Sequence, residues 1–430
     1  VSLLKYYIIL GHSNYTIMED ILSLIKLLDD QKLKHIKTLN DPSALSNKTR
    51  QLYDGLRNGD FRTDHEASYS IYTKDEAHPA YLKLKHRFKE RLINTLFFID
   101  IQQYGNSAYQ KTLNRSYKNW AASKILLDKG PRKTAISIQE TILKNVLKYD
   151  IEELAIMIIK DLKMHYGLYE YNLNKFNRYK KLGFRLKHII NLKNEIEEYF
   201  CFLGHLIESK KSIQFNDEIK NIEEKVTAIS DKSQQIDSYY LRYHIFTCFY
   251  IIYLIKKDFN SQIKITQEAI NYFHSKKGFK KYGTATFLQI RGIADMSLGN
   301  YNNALLSFNK CLDFNPKPGG LLWQSLRNYI FLIDILRKNY DSAYVILSNV
   351  INHGSFNKSY VDFKQHWFLK EAFIQFLIRI GKIQPDNIKV QKLRAFRINR
   401  FINETPTLTK DKRGYNVSIH IIQMLFLIID

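Results

Sequence analysis

Cys201 and His205 lie four residues apart in "EYFCFLGHL", a spacing that would set a thiol and an imidazole on one face of a helix. A metal or thiol site needs further ligands, and none lies near in the sequence, so the pair reads as a half-buried small residue beside a surface histidine. Asp64-His65-Glu66 crowds two carboxylates and an imidazole together. It reads as a helix start capped by Thr63 or Asp64, with acids in the first turn. No GxxxxGKS or GxxxxGKT loop, no GxGxxG after a strand, no HExxH and no GxSxG is present. Cys201, Cys248 and Cys311 are widely separated and form no CxxC pair. The expectation is a protein that is not an enzyme, with no cofactor and no metal.

Cations are the other chemical resource. Lys83, Lys85, Arg87, Lys89 and Arg91 fall in the first half of an expected helix from 79 to 100, whose other face carries Tyr81, Leu84, Phe88, Leu92, Leu96 and Ile99. With shorter helices expected at 49 to 57 and 64 to 72, this outlines a basic nucleic-acid reader. The gap "TKDEAHP" is longer than the turn such readers use, which favours a solvated amphipathic helix instead. "KFNRYKKLGFRLK" (175 to 187) interleaves aromatics with six cations and no acid. That composition suits a single nucleic-acid strand, and it equally suits an ordinary helix face. "KVQKLRAFRINRF" (389 to 401) has the same two readings.

The net charge of +23 does not decide between them, because it is diffuse. Basic residues outnumber acidic ones 8 to 7 over residues 1 to 60 and 18 to 9 over 301 to 430. Such an excess raises general affinity for acidic surfaces without marking a site. Hydrophobic residues at 45% and charged residues at 25% describe an ordinary globular chain, and only 17 Gly and 7 Pro in 430 residues favour helices. The three unpaired cysteines and the poor signal-peptide character of the first residues predict a cytoplasmic protein.

Positioning elements come from periodicity. Apolar residues recur at three- and four-residue intervals in "IEELAIMIIKDLKMHY" and "SQIKITQEAINYF", and no alternating strand pattern competes. Phe259, Tyr301 and Tyr340 each precede an expected second helix, at separations near forty, which is the spacing of stacked helical hairpins.

The stretch from Ala285 to Pro316 resembles a tetratricopeptide repeat. It supplies Gly292, Gly299-Asn300-Tyr301, Ala304, Phe308, Cys311 and Pro316 at the family's pattern positions. Small Gly292 and Ala304 suit a close helix crossing, Tyr301 and Phe308 fill space between hairpins, Gly299 suits a left-handed helix end, and Pro316 stops the second helix. The next unit keeps Tyr340, Ala343 and Leu347 but has Phe331 in place of the glycine; the one before has Tyr250 and Gln262 at the two small positions. The resemblance implies an all-α, right-handed array of antiparallel helical hairpins, an α-solenoid, beside a separate N-terminal helical region. It also implies a scaffold that binds a peptide or helix of a protein partner. In the family the first helices line a groove; by position the groove residues here are Thr286, Gln289, Ile293 and Met296, then Ser325, Asn328, Leu332 and Ile335, and before them His244, Thr247, Ile251 and Leu254. The alternative is that these apolar positions are core. The alternative function is a nucleic-acid-linked regulator that reads DNA or RNA with the N-terminal basic helix.

The expected organisation is an extension or short buried strand at 1–17, an N-terminal helical domain at 18–128, hairpins without a readable repeat at 131–242, repeats at 243–355 and C-terminal helices at 356–430. The final "VSIHIIQMLFLIID" is too short for a membrane span and suits a buried helix in a chain cut short at residue 430. Ala304→Glu places a charge at the expected crossing and should lower the melting temperature of the chain sharply. An unchanged thermal melt followed by circular dichroism would contradict the repeat assignment.

Overall fold

The computed structural model describes residues 20–25, 46–97, 108–209, 215–275, 280–314, 316–356, 361–388 and 415–429, with a few isolated positions between 390 and 401. The described residues are helical apart from turns and connections. Two compact units divide at Asn191 and Leu192, inside one long helix.

The first unit opens with α1 (Asn47–Asn58), α2 (Asp64–Tyr72) and α3 (Pro79–Leu96). Local chemistry sets each start. Ser46 Oγ accepts from the Thr49 N–H, and Pro79 occupies the first turn of α3, where a missing N–H costs nothing. At α2 the cap is Thr63: its Oγ accepts from the Glu66 N–H, while Glu66 Oε2 accepts from the Thr63 and Arg62 N–H groups. Those backbone donors hold the Glu66 carboxyl below its ordinary range. Leu52, Leu56, Ala67, Ile71, Tyr81, Phe88 and Leu92 bury together with Ile21 and Ile25. The apolar face expected for α3 is therefore its packing face; Ile99 lies outside the described residues.

The same unit continues through α4 (Ala108–Lys129), α5 (Arg132–Lys148), α6 (Glu152–Leu168) and the first part of α7 (Leu173–Ser209). Buried polar groups are matched across helices. Asp161 on α6 accepts from Lys124 on α4 and Gln139 on α5, each at 3.0 Å. Glu140 accepts from the hydroxyls of Tyr166 (2.8 Å) and Tyr179 (3.0 Å), and Lys175 donates to Tyr166. Burial pushes the Glu140 carboxyl up, but the two phenols and Lys175 outweigh it and hold it low.

The second unit contains the rest of α7, then α8 (Asn216–Lys232), α9 (Tyr239–Ile255), α10 (Phe259–Ser275), α11 (Lys280–Ser297), α12 (Tyr301–Leu312), α13 (Leu321–Leu336), α14 (Tyr340–Ile351), α15 (Val361–Arg379) and α16 (Tyr415–Ile429). Each helix from α8 to α16 packs on the next. Three of the connections between these helices close in one way, which the α5–α6 turn at Asp150 and the end of α15 at Gly381 share. Lys257, Gly299 and Lys338 all adopt left-handed conformations, with φ of 57°, 79° and 63°. The following N–H groups, of Asp258, Asn300 and Asn339, bond back five residues to the carbonyls of Tyr253, Asp295 and Asp334. Phe259, Tyr301 and Tyr340 are then the first residues of the returning helices rather than residues preceding them. The near-forty spacing is thus a backbone geometry, not only a side-chain pattern.

Packing inside these pairs explains the changed residues. A Cβ on Gly292 would lie 2.4 Å from the ring of Phe308, which is fully buried and also stacks on Tyr329 of α13. Gly292 is small because it faces a phenylalanine, and Phe308 fills space within its hairpin as well as beyond it. The equivalent positions one unit on are Phe331 and Leu347, and one unit back Tyr250 and Thr266, all buried. Both neighbouring units carry an aromatic on the first helix where this one has glycine, and a smaller residue than phenylalanine on the second, so the motif is lost while the positions stay buried. Ala304 and Ala343 are both fully buried. Pro316 requires a correction: α12 ends at Leu312, and Pro316 sits in the irregular connection rather than stopping the helix.

Gly292→Ala should destabilise the chain by about 1–3 kcal/mol through overpacking, and adding Phe308→Leu should recover part of that loss. The check is a urea-denaturation double-mutant cycle; strict additivity of the two losses would contradict the contact between the two residues.

Candidate partner-binding cleft

The residues singled out for chemistry do not converge. Cys201 and His205 are both exposed, while Cys248 and Cys311 are buried. The Cys311 thiol donates to the Ala285 carbonyl at 3.3 Å, and burial pushes it up to about 12, which leaves it unreactive near neutrality. Among the described residues no group of three or more His, Cys, Asp or Glu side chains is placed to hold a metal. No described helix is long and apolar enough to cross a membrane.

The five cations of α3 have three different surroundings. Lys85 is buried and donates to Asp64 Oδ1 at 2.5 Å; the same oxygen accepts from the Tyr81 hydroxyl at 2.7 Å. Lys89 pairs with Asp20 at 2.8 Å. Lys83 and Arg87 are exposed, and Arg91 is half-buried. A continuous basic face therefore does not form, because two of the cations hold α3 to its neighbours. Asp64, expected as a cap or first-turn acid of α2, leaves the capping to Thr63 and ties α2 to α3.

The first-helix face expected to form a groove is largely packed. Gln289 is fully buried and donates to Ser325 Oγ at 2.7 Å, linking α11 to α13. Thr286, Ile293, Met296, Asn328, Leu332 and Ile335 are half-buried, and Ile293, Met296, Leu332 and Ile335 lie against the core. His244, Thr247 and Ile251 are buried, and Leu254 is half-buried.

The opposite side of α11 is buried as well, at Thr284, Leu288 and Asp295, and lies beneath the space between α10 and α12. Thr284, Leu288, Arg291 and Asp295 floor a cleft of about 760 Å³, walled by α10 on one side and α12 on the other. At 100° per residue this stripe is turned about 150° from the stripe through Thr286, Gln289, Ile293 and Met296. The floor is electrically balanced. Arg291 Nε donates to Asp295 Oδ2 at 2.9 Å, and its Nη1 reaches the Ile263 carbonyl and Gln267 Oε1, both at 3.3 Å. Thr284 is 2% exposed and its hydroxyl finds no partner, a polar group left unsatisfied at the cleft floor.

The two walls carry similar chemistry. Gln267, Ile270, Asn271 and His274 line one, and Asn303, Leu306, Ser307 and Lys310 the other. Each series follows the i, i+3, i+4, i+7 spacing of a single helix face, with an amide, an aliphatic, a small polar residue and a basic residue in order. That matched pair of series is a signal the sequence contained; attention to the first helices alone passed over it.

No protein-family model, no curated protein and no solved structure matches the chain. The described residues form an all-α fold of sequentially packed helix pairs.

His244 gives a measurable property to the same unit. Its Nδ1 bonds the Tyr240 carbonyl at 3.0 Å and its ring stands edge-on to Phe200. Burial pushes its pKa below 6.5, and this outweighs the Tyr240 carbonyl and Glu197, which favour the charged form. The unfolded chain therefore protonates first as pH falls. The stability associated with neutral His244 is full above about 6.5 and is lost as pH falls from there toward the folded-state value. In melts between pH 7.5 and 5.5, His244→Asn should show a shallower loss of stability than the parent chain; equal slopes would contradict it.

Proposed function

We propose that the chain is a protein-interaction scaffold: a tetratricopeptide-like array of hairpins that holds a segment of a partner protein. The single observation supporting this reading is the cleft between α10 and α12. Its walls present the carboxamides of Asn271 and Asn303; Gln267 donates to Asn271 Oδ1 at 3.0 Å and accepts from Arg291, which orients the Asn271 amino group as a donor to the cleft. Such groups complement the free N–H and C=O groups of an extended backbone, whereas a helix has already satisfied its own. The Arg291–Asp295 pair cancels charge at the floor, which favours an uncharged backbone over a phosphate.

Size supports the same occupant. Gln267 to Ser275 spans about 12 Å of helix, the length of about four extended residues at about 3.3 Å each. Aliphatic Ile270, Leu288 and Leu306 supply apolar contact for alternate side chains. The turn closures at Lys257, Gly299 and Lys338 support the repeat character of the array.

Selection of displayed peptides on the intact chain should yield binders with a shared short core. Asn271→Trp and Asn303→Trp, both on exposed wall positions, should each weaken those binders ten-fold or more in isothermal titration without shifting the melt. Binders unaffected by either substitution would remove the cleft as the site.

A further inference from the structure

The N-terminal part of α7 carries a cationic surface that the scaffold reading does not use. Between Glu170 and Glu195 the sequence contains no acid. The side of α7 that packs is well defined: Tyr179 stacks on Tyr166, Gly183 lies against Ile159 of α6, and Leu186 and Ile189 are buried. Lys175 also turns inward, over the Tyr166 ring. Arg178, Lys180, Lys181, Arg185 and Lys187 are left on the outer side, all exposed. None of the five makes an ion pair among the described residues, in contrast to Lys85 and Lys89 on α3.

These residues form two neighbouring rows on the helix surface. Arg178, Lys181 and Arg185 follow one line at three- and four-residue steps, and Lys180, Phe184 and Lys187 follow the next. Phe184, at 67% exposure, therefore stands with cations on both sides. A buried packing face holds the helix backbone in place, so the spacing of the cations is set before binding and only their side chains have to be ordered.

We infer that this face of α7 binds single-stranded nucleic acid, with the cations on phosphates and Phe184 under an unstacked base. An anionic membrane is the weaker match, since an interfacial helix buries a continuous apolar stripe and this part of α7 exposes only Leu173 and Phe184, three turns apart. A duplex keeps its bases stacked inside and leaves the exposed ring without a use.

The test uses the intact chain and a fluorescent oligothymidylate of about 20 nucleotides, read by anisotropy across a potassium chloride series. Binding should persist at about 0.1 M salt, with log Kd rising by about 0.7 per phosphate neutralised for each decade of salt. Arg178→Gln, Lys181→Gln and Arg185→Gln together should lower that slope by about 2. Phe184→Ala should weaken binding five-fold or more at every salt concentration while leaving the slope unchanged. The exposed α3 residues serve as the charge control, and Lys83→Gln with Arg87→Gln should leave binding as it was. The inference is overturned by absence of binding at 0.1 M salt, or by a loss in the α3 control equal per charge to that on α7. It is equally overturned if blunt duplex or phosphatidylserine vesicles bind as tightly as the single strand. Circular dichroism of each variant verifies that the helices are intact, so a loss of binding is read as a loss of contact.

Discussion

The second unit depends on one backbone constraint, a left-handed residue that ends the first helix of a pair and turns the chain back. At Lys257, Gly299 and Lys338 the closing N–H reaches a carbonyl five residues earlier, satisfying a group that the helix end would otherwise leave open. The returning helix then starts two residues later in each case, so the two faces meet in the same register. Lysine accepts this conformation at a cost of about 1 kcal/mol that glycine avoids. The surrounding packing sustains the turn where the residue itself does not favour it.

Given that register, the hairpins need volume rather than particular residues. Gly292 opposite Phe308, Phe331 with Leu347, and Tyr250 with Thr266 are three differently sized pairs that are each buried at corresponding positions. This is why one copy of the pattern is readable and its neighbours are not: the motif records one partition of the volume, and the fold tolerates others. The same freedom shapes the surface. Short polar side chains on α10 and α12 leave the space between them open, and the cleft follows from what those helices do not fill.

Much of the local structure was legible in the sequence. Thr63 and Glu66 around the start of α2, Pro79 at the start of α3 and Gly299 at the end of α11 act through bonds within a few residues, so a reading of neighbours suffices. The interior face of α3 was legible for the same reason, since helix periodicity projects directly onto burial. The use of each cation was not. Lys85 and Asp64 are 21 residues apart in sequence and meet only because α2 packs on α3. Pro316 shows the converse error, a strong local breaker placed beyond a helix that had already ended.

The sequence by itself determined that the described residues are helical, where several of the helices begin and turn, and that a paired-helix turn lies near residue 300. Periodicity, caps and breakers act over a single turn and need no knowledge of distant neighbours. Tertiary structure alone decided which lysines are held by acids, which side of α11 lies beneath a cleft, and which cations on α7 remain in solvent. Those outcomes depend on contacts between helices, where a small change in side-chain volume or rotation about the helix axis exchanges the buried face for the open one.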